Sequence, residues 1–176
     1  MRELTALVVG LVALAAINFG IYEREKLLAQ GNIVLLELAP VDPRSLMQGD
    51  YMALRFKVAT EAFSRERLPT LKDGHIVVTL DARKVATFKR FADSTTLAAG
   101  ETLLRYRMRN QQPKFATNAF FFQEGHAHYY EKARYGEFRT SADGEAILTA
   151  LRGANLEPLG PPPAAKIYPI QPRNGS

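Results

Sequence analysis

The sequence predicts a mainly β domain, a β-rich α+β fold with an antiparallel, small barrel-like sheet, behind one N-terminal transmembrane helix. Three observations predict this architecture. Residues 4–22 form an apolar run without a charged side chain. Several short, alternating or β-branched segments then follow, separated by turn signals. Finally, residues 158–176 carry six of the ten prolines and have no periodic pattern.

We therefore expect three regions: a membrane anchor and stalk helix over 1–30, a β-rich domain over 31–157 and a Pro-rich tail over 158–176. The chain has 176 residues, of which 47% are hydrophobic and 23% charged, and this composition indicates a packed core. Basic and acidic side chains alternate, so the net charge of +5 does not indicate a nucleic-acid partner. The absence of cysteine excludes disulfides, thiolate metal sites and a cysteine nucleophile.

The anchor is predicted from length and composition. The run from Leu4 to Tyr22 is about 28 Å long as a helix, close to the thickness of the bilayer core, so we expect residues 4–22 to lie in the lipid bilayer. The helix should continue to Gln30, with Gly31 as its C-terminal stop. A cleaved signal peptide is the alternative, because residues 13–15 are Ala-Leu-Ala, but the apolar run continues past them.

The orientation of the anchor is predicted less directly. Arg2 precedes the apolar run, and Arg24 and Lys26 follow it. Positive charge therefore lies on both sides of the membrane segment and gives little indication of its orientation. The segment before the helix is very short and offers nothing to translocate. We therefore expect a single-pass protein with residues 23–176 on the extracytoplasmic side of the cytoplasmic membrane.

The remaining elements are predicted from periodicity and turn residues. Strands are expected at 32–38, 50–58, 75–80, 85–91, 101–109, 115–123, 136–140 and 145–151. A short helix is expected at 59–67, a loop or short helix at 124–133, and a four-residue hairpin turn at 141–144.

Two of these strands show informative alternation. The residues expected to share the inner face of strand 50–58 are Met52, Leu54, Phe56 and Val58. In strand 101–109, Arg105, Arg107 and Arg109 share one face. Like charges on one strand face repel each other, so something anionic should lie opposite them. Acidic side chains of a neighbouring strand, a lipid headgroup and an acidic partner protein are the alternatives.

The segment from Val41 to Val58, VDPRSLMQGDYMALRFKV, concentrates polar side chains in a loop that leads into a strand. Gly49 before a strand is typical of a turn with positive φ, and Asp50 beside it is typical of an Asx turn. The functional alternative pairs Asp50, or equally Asp42, with Arg44 at the mouth of the loop. The spacing alone does not choose between these interpretations.

This segment resembles the GDYXXLXY family of bacterial membrane-anchored proteins, whose function is uncharacterised. The name motif is matched by Gly49, Asp50, Tyr51 and Leu54, and the usual lead-in by Asp42-Pro43-Arg44. The later segment FFFQEGHAHYYEKARYGEFR is similar to the family's second block. Phe56 stands where tyrosine is usual, so a packing role is expected there. The resemblance covers most of 20–152. Because some relatives appear beside or fused to polytopic membrane proteins, it implies a membrane partner here, and with the orientation expected above the head would be a periplasmic domain on the inner membrane.

We expect a non-enzymatic accessory or binding protein that recognises a membrane partner or a small ligand through this loop and needs no cofactor. The expected binding residues of the motif loop are Asp42, Arg44, Gly49, Asp50, Tyr51, Leu54 and Arg55. Those of the second block are Glu124, Tyr130, Arg134 and Tyr135. A structural alternative is that the motif only shapes a turn.

A hydrolase is the alternative function. Residues 45–50 follow the second half of the Ser-Met-x-Pro-Thr-Leu-x-x-Gly-Asp pattern of type I signal peptidases, but Val41 stands at the position of the nucleophile. Ser45 would then need a lysine as its base. The candidate lysines are Lys57, Lys72, Lys84 and Lys89.

A metal-dependent hydrolase would use His126 and His128. These two side chains share a face only on a strand, where Glu124 or Glu131 would supply a third ligand. The segment is more typical of a loop or helix, on which residues two apart diverge, so we expect no metal here.

Overall fold

A computed structural model describes residues 2–39, 47–48, 50–63, 72–92, 96–110 and 112–162. Its strands form a curled antiparallel half-barrel behind one apolar N-terminal helix, which confirms the predicted fold class. The helices are α1 (Arg2–Gln30), α2 (Lys57–Ala62) and a 3-10 turn at Ala127–Tyr129. The strands are β1 (Asn32–Glu37), β2 (Met47–Gln48), β3 (Tyr51–Ala53), β4 (Gly74–Leu80), β5 (Ala86–Phe91), β6 (Glu101–Arg109), β7 (Gln112–Lys114), β8 (Ala119–Phe121), β9 (Tyr135–Thr140) and β10 (Ala146–Arg152).

Helix α1 is long and apolar enough to span a membrane. It has 29 residues, and its most apolar window has a mean hydropathy of 2.3. None of its residues is buried against the rest of the chain. The side-chain amide of Asn18 donates to the Leu14 carbonyl at 2.9 Å, so this polar group is satisfied within the helix. The predicted apolar helix is therefore present, and by length and composition it could cross a membrane.

Gly31 ends α1, as the sequence predicts, because no larger residue fits there. Its N–H donates to the Leu27 carbonyl oxygen at 2.8 Å. A Cβ at this position would lie 2.4 Å from that same oxygen. The Gly31 carbonyl in turn accepts a hydrogen bond from the Arg139 guanidinium at 3.0 Å, which ties the end of α1 to β9.

The sheet nearest the anchor has the order β1-β9-β10, and both pairings are antiparallel. Its inner face carries Val34 and Phe138, which are opposite each other and fully buried. The β9–β10 hairpin has the predicted turn at 141–144: the Ser141 N–H donates to the Glu145 carbonyl at 2.9 Å. Gly144 supplies the positive φ, +86°, that closes this turn.

A second sheet has the order β5-β4-β6-β7. Glu101 joins two of its strands, because its carboxylate lies 2.8 Å from the Lys89 amine and 3.1 Å from the Arg90 guanidinium. These cations and the Ala98 N–H, with the Lys89 hydrogen bond contributing most, lower the pKa of Glu101 to about 2. A lowered folded-state pKa means that the cluster stabilises the fold above the usual glutamate pKa, and that this contribution is lost as the pH falls towards 2.

The third sheet, β2-β3-β8, is small and departs from the sequence prediction. The strand expected over 50–58 ends at Ala53, because the chain leaves the ladder there and makes only an isolated bridge between Phe56 and Leu38. Helix α2 then begins at Lys57, two residues before the expected start of 59–67. Its described part ends at Ala62, and residues 64–71 lie outside the described part.

The prediction of one buried strand over 115–123 is wrong. Only Ala119–Phe121 is a strand, and its described partner is β3 alone. Phe115 is completely buried but lies in a bend before β8. Phe121 is 74% exposed, because its side chain points to the outer face of this edge strand.

Candidate functional site

The motif residues lie on β3 and on the turn before it. Asp50 occupies that turn and is exposed, and its carbonyl accepts a hydrogen bond from the Phe122 N–H at 3.0 Å. At the other end of β3, the Leu54 N–H donates to the Asn118 carbonyl at 2.7 Å. These two bonds extend the β3–β8 pairing at both ends. The backbone of the motif is therefore fixed on the side that faces β8.

The side chains of the motif divide into an inner and an outer set. The four apolar residues expected to share a face are all buried: Met52, Leu54, Phe56 and Val58. The outer set consists of the exposed Asp50 and Arg55 and the partly exposed Tyr51. Leu54, predicted as a binding residue, is 2% exposed and therefore belongs to the core. Asp42, Arg44, Ser45 and Gly49 lie outside the described residues.

Phe56, at the position where the motif has tyrosine, packs at the centre of the core. It is 1% exposed, and its ring centroid lies 5.5 Å from that of Phe138 and 6.4 Å from that of Phe115, both edge to face. This geometry is the favoured one for aromatic pairs. The position therefore acts through packing in this chain.

Tyr51 forms an aromatic pair with Phe121 on the outer surface. The two residues are directly opposite each other in the β3–β8 ladder, and their ring centroids are 5.6 Å apart. We call the outward-facing residues Asp50, Tyr51, Arg55 and Phe121 the motif face. The sequence hides the role of Phe121, because the Phe120-Phe121-Phe122 run is apolar throughout and is typical of a buried strand. The alternation of a strand, which directs the middle residue away from its two neighbours, would have identified it.

The second block meets the motif through Tyr130. This tyrosine is 7% exposed and packs against the rings of Phe120 and Phe122, with centroid distances of 5.0 and 5.4 Å. Phe122 connects Tyr130 to the motif turn: its ring packs against Tyr130, and its N–H donates a hydrogen bond to the Asp50 carbonyl. Glu124, in contrast, is exposed in a turn. Tyr130 therefore supports the motif face from beneath and does not form part of it.

The other two residues of the second block line a separate cavity of about 370 Å³. Arg134 and Tyr135 lie on its wall, together with an ion pair between Lys57 and Glu37 at 3.0 Å. Ala39 also lines it, and its N–H donates to the Arg55 carbonyl at 2.8 Å. The structure thus places Arg134 and Tyr135 beside the segment that leads into residues 40–46, and apart from Tyr130.

The lysines proposed as a base for Ser45 lie on the surface of the protein. The Glu37 carboxylate, through its hydrogen bond, raises the pKa of Lys57 above the usual value, whereas a lysine base needs a lowered pKa. Lys89 is held by Glu101 at 2.8 Å. Lys72 and Lys84 are both exposed. None of these four lysines thus lies in the apolar, water-excluded surroundings that activate a lysine base.

The two histidines pack against a tyrosine. The rings of His126 and His128 lie 5.4 and 4.0 Å from the ring of Tyr129, and Nδ1 of His128 is 3.0 Å from the Gly125 carbonyl oxygen. His126 precedes the 3-10 turn and His128 lies within it, where residues two apart point in different directions. Across the described ranges there is no group of three histidine or acidic side chains that would hold a metal ion.

An ion pair on the central strand β9 is not apparent from the sequence. Glu137 is 7% exposed, and its carboxylate accepts hydrogen bonds from Arg152 and, at 3.3 Å, from the Thr149 hydroxyl. Arg152 lies opposite Tyr135 and is therefore a diagonal neighbour of Glu137 across the β9–β10 ladder. A bulge between Leu148 and Ala150 shifts the β9–β10 register by one residue, so the spacing of the two residues in the sequence does not indicate this pair.

Comparison with known proteins identifies the family. No curated protein and no solved structure matches the chain. The family described as GDYXXLXY protein matches residues 13–151, which include the second half of α1 and every strand up to β10. The match covers more than three quarters of the sequence and contains both the motif and the second block. The chain therefore belongs to the GDYXXLXY protein family.

Proposed function

We propose that this chain is a membrane-anchored, non-enzymatic accessory protein whose head lies on the extracytoplasmic side and recognises a polytopic membrane protein through the motif face. Helix α1 supplies a segment long and apolar enough for the anchor. The motif face supplies the recognition surface, and the exposed Asp50 and Arg55, one on each side of β3 in the sequence, add one charge of each sign.

The observation that carries the proposal is the exposure of Phe121. Outside α1, it is the only large hydrophobic residue among the described ones that is exposed, at 74%. Burying a phenylalanine side chain stabilises an assembly by about 1.5–3 kcal/mol, and aromatic residues are enriched at protein interfaces. Tyr51 holds the Phe121 ring from one side, 5.6 Å away, so this apolar group is presented on a paired strand.

Anchoring in the membrane favours a membrane partner. A helix that holds the head at the bilayer confines it to the same thin layer as other membrane proteins. This confinement raises the effective concentration of such partners and makes a small contact surface sufficient. A soluble partner gains nothing from it.

The side of the membrane on which the head lies is tested with single-cysteine variants. The natural chain has no cysteine, so each variant can be labelled at one position only. We expect the exposed Lys132→Cys in the head to react with a membrane-impermeant maleimide in intact spheroplasts, and Glu3→Cys before the anchor to react only after lysis. The reverse pattern would place the head in the cytoplasm and contradict the proposal.

Recognition is tested by photocrosslinking from the motif face. A benzoylphenylalanine at position 121 should form an adduct with a membrane protein of several helices, and the same group at the exposed position 132 should not. In the natural chain, Phe121→Asp should reduce co-purification of that protein at least about tenfold, because it places a charge in an apolar contact. Adducts of equal yield from both positions, or a soluble protein as the adduct, would contradict the proposal.

The stability of the same variant separates recognition from a structural role of the motif. Phe121→Asp should leave the unfolding midpoint of the head unchanged, since the side chain is exposed. If the variant lost the partner only because the head unfolds, the motif would serve the fold alone.

A further inference from the structure

A cavity of about 270 Å³ lies between the end of α1 and the strands β6 and β7. Its lining is strongly basic. The charged residues that line it, which we call the cationic pocket, are Arg24, Arg105, Arg107, Arg109, Lys114 and Glu145. Arg24 comes from the helix, the other three arginines from β6 and Lys114 from β7. This pocket is separate from the motif face.

Acidic side chains neutralise only part of this charge. As one of the alternatives for the arginine row predicts, a neighbouring acid is present: the Glu145 carboxylate accepts hydrogen bonds from Arg105 and, at 3.4 Å, from Arg107. Asp73 pairs with Arg109 at 3.3 Å. Asp143, whose pKa is lowered mainly by the hydrogen bond from the Ser141 hydroxyl, also interacts with Arg105. Five basic residues thus face three carboxylates, which leaves a formal excess of two positive charges.

The two remaining cations have no acidic partner within the described ranges. Neither Arg24 nor Lys114 forms an ion pair there. Lys114 also lies directly opposite Arg107 in the β6–β7 ladder. Like charges at directly opposite positions of a ladder are destabilising, and an anion between them removes this repulsion.

The pocket lies at the level where the membrane helix leaves the bilayer. Arg24 follows Tyr22, the last residue of the apolar run, by two positions, which is about 3 Å along a helix. A basic residue at this distance from the apolar segment lies at the depth of the lipid headgroups. Because Arg24 lines the same cavity as the β6 and β7 cations, these cations are held beside the bilayer surface too.

We propose that the cationic pocket binds the phosphate group of an anionic phospholipid in the adjacent leaflet. The planar guanidinium of arginine has five N–H donors and binds phosphate through two parallel hydrogen bonds. The carboxylates engage one guanidinium nitrogen in each arginine of the row, so donors remain for a phosphate group. Lys114 adds a point charge from the other strand. The bound headgroup fixes the face of the head formed by β6 and β7 towards the membrane. This inference uses the anchor and does not depend on the motif face or its partner.

The test uses the full chain in detergent micelles, with lipids added and bound lipid counted by native mass spectrometry. We expect phosphatidylglycerol to be retained in preference to phosphatidylcholine. The double variant Arg107→Gln, Lys114→Gln should weaken the retention of phosphatidylglycerol about 10- to 30-fold, as two basic residues near a membrane surface do. Both side chains are exposed, so the fold should survive.

A matched control removes the same charge elsewhere. Arg83→Gln, Lys132→Gln changes two exposed basic residues outside the pocket and should retain phosphatidylglycerol as the natural chain does. The charge-preserving Arg107→Lys should remain within about threefold of the natural chain, because lysine keeps the charge and loses only the paired geometry. Phe121→Asp should leave lipid retention unchanged, which separates this site from the motif face.

Three outcomes would overturn the proposal. The first is equal retention of phosphatidylglycerol and phosphatidylcholine. The second is an equal loss in the control and pocket variants, which would indicate a non-specific charge effect. In the third, millimolar inorganic phosphate displaces the lipid completely, and the pocket would then be a site for free phosphate. Phosphate that leaves the lipid in place supports the proposal.

Discussion

Phe56→Ala is expected to lower the free energy of unfolding of the head by about 3–5 kcal/mol, the largest effect of any single substitution in the motif. The Phe56 ring is 1% exposed and packs against Phe138 and Phe115. The backbone of Gly136 also packs closely against the Phe56 ring, because a Cβ at position 136 would lie 3.2 Å from a ring carbon. Removing the ring leaves a cavity that these neighbours cannot fill. Pulse proteolysis of the full chain in urea and detergent measures the change.

Phe121→Ala is the matched control, because it removes the same ring from an exposed position of the same small sheet region. It should change the free energy of unfolding by no more than about 0.5 kcal/mol. Equal destabilisation by the two substitutions would contradict the division of the motif region into a buried set and an outer face.

Arg152→Leu is expected to destabilise the head by about 2–4 kcal/mol, the second largest effect. The substitution leaves the Glu137 carboxylate, which is 7% exposed, without its cationic partner. It also removes the hydrogen bond that the Arg152 guanidinium donates to the Leu156 carbonyl at 2.8 Å, which fixes the chain after β10. Urea unfolding of the purified protein at neutral pH checks this value.

The double variant Glu137→Leu, Arg152→Leu tests the cause. Removing both charges takes away the unpaired carboxylate, so the double variant should be more stable than Arg152→Leu alone. Strictly additive losses would show that the two side chains stabilise the fold independently of each other.

Local signals in the sequence predict much of this fold. The uncharged run predicts α1, and the glycine after Gln30 predicts its end, because both depend on neighbours along the chain. The hairpin turn at 141–144 is predicted for the same reason. The alternation in 101–109 predicts β6 with its exact bounds, and it identifies the arginine row that became the cationic pocket.

The parts that sequence analysis missed depend on contacts between distant segments. Strand β3 ends at Ala53 because its described partner β8 is short, and nothing near Ala53 in the sequence shows the length of β8. The Phe120-Phe121-Phe122 run is apolar throughout, so composition hides the exposure of its middle residue. Glu137 and Arg152 are 15 residues apart and meet only once the β9–β10 register is known.

The junction at Gly31 limits where the head can act. This glycine is the only residue between α1 and β1, and its carbonyl is held by Arg139, so no flexible tether joins the anchor to the sheet. The helix extends eight residues past Tyr22, about 12 Å beyond the apolar run. A change in the direction of α1 is therefore transmitted directly to the strands of the head.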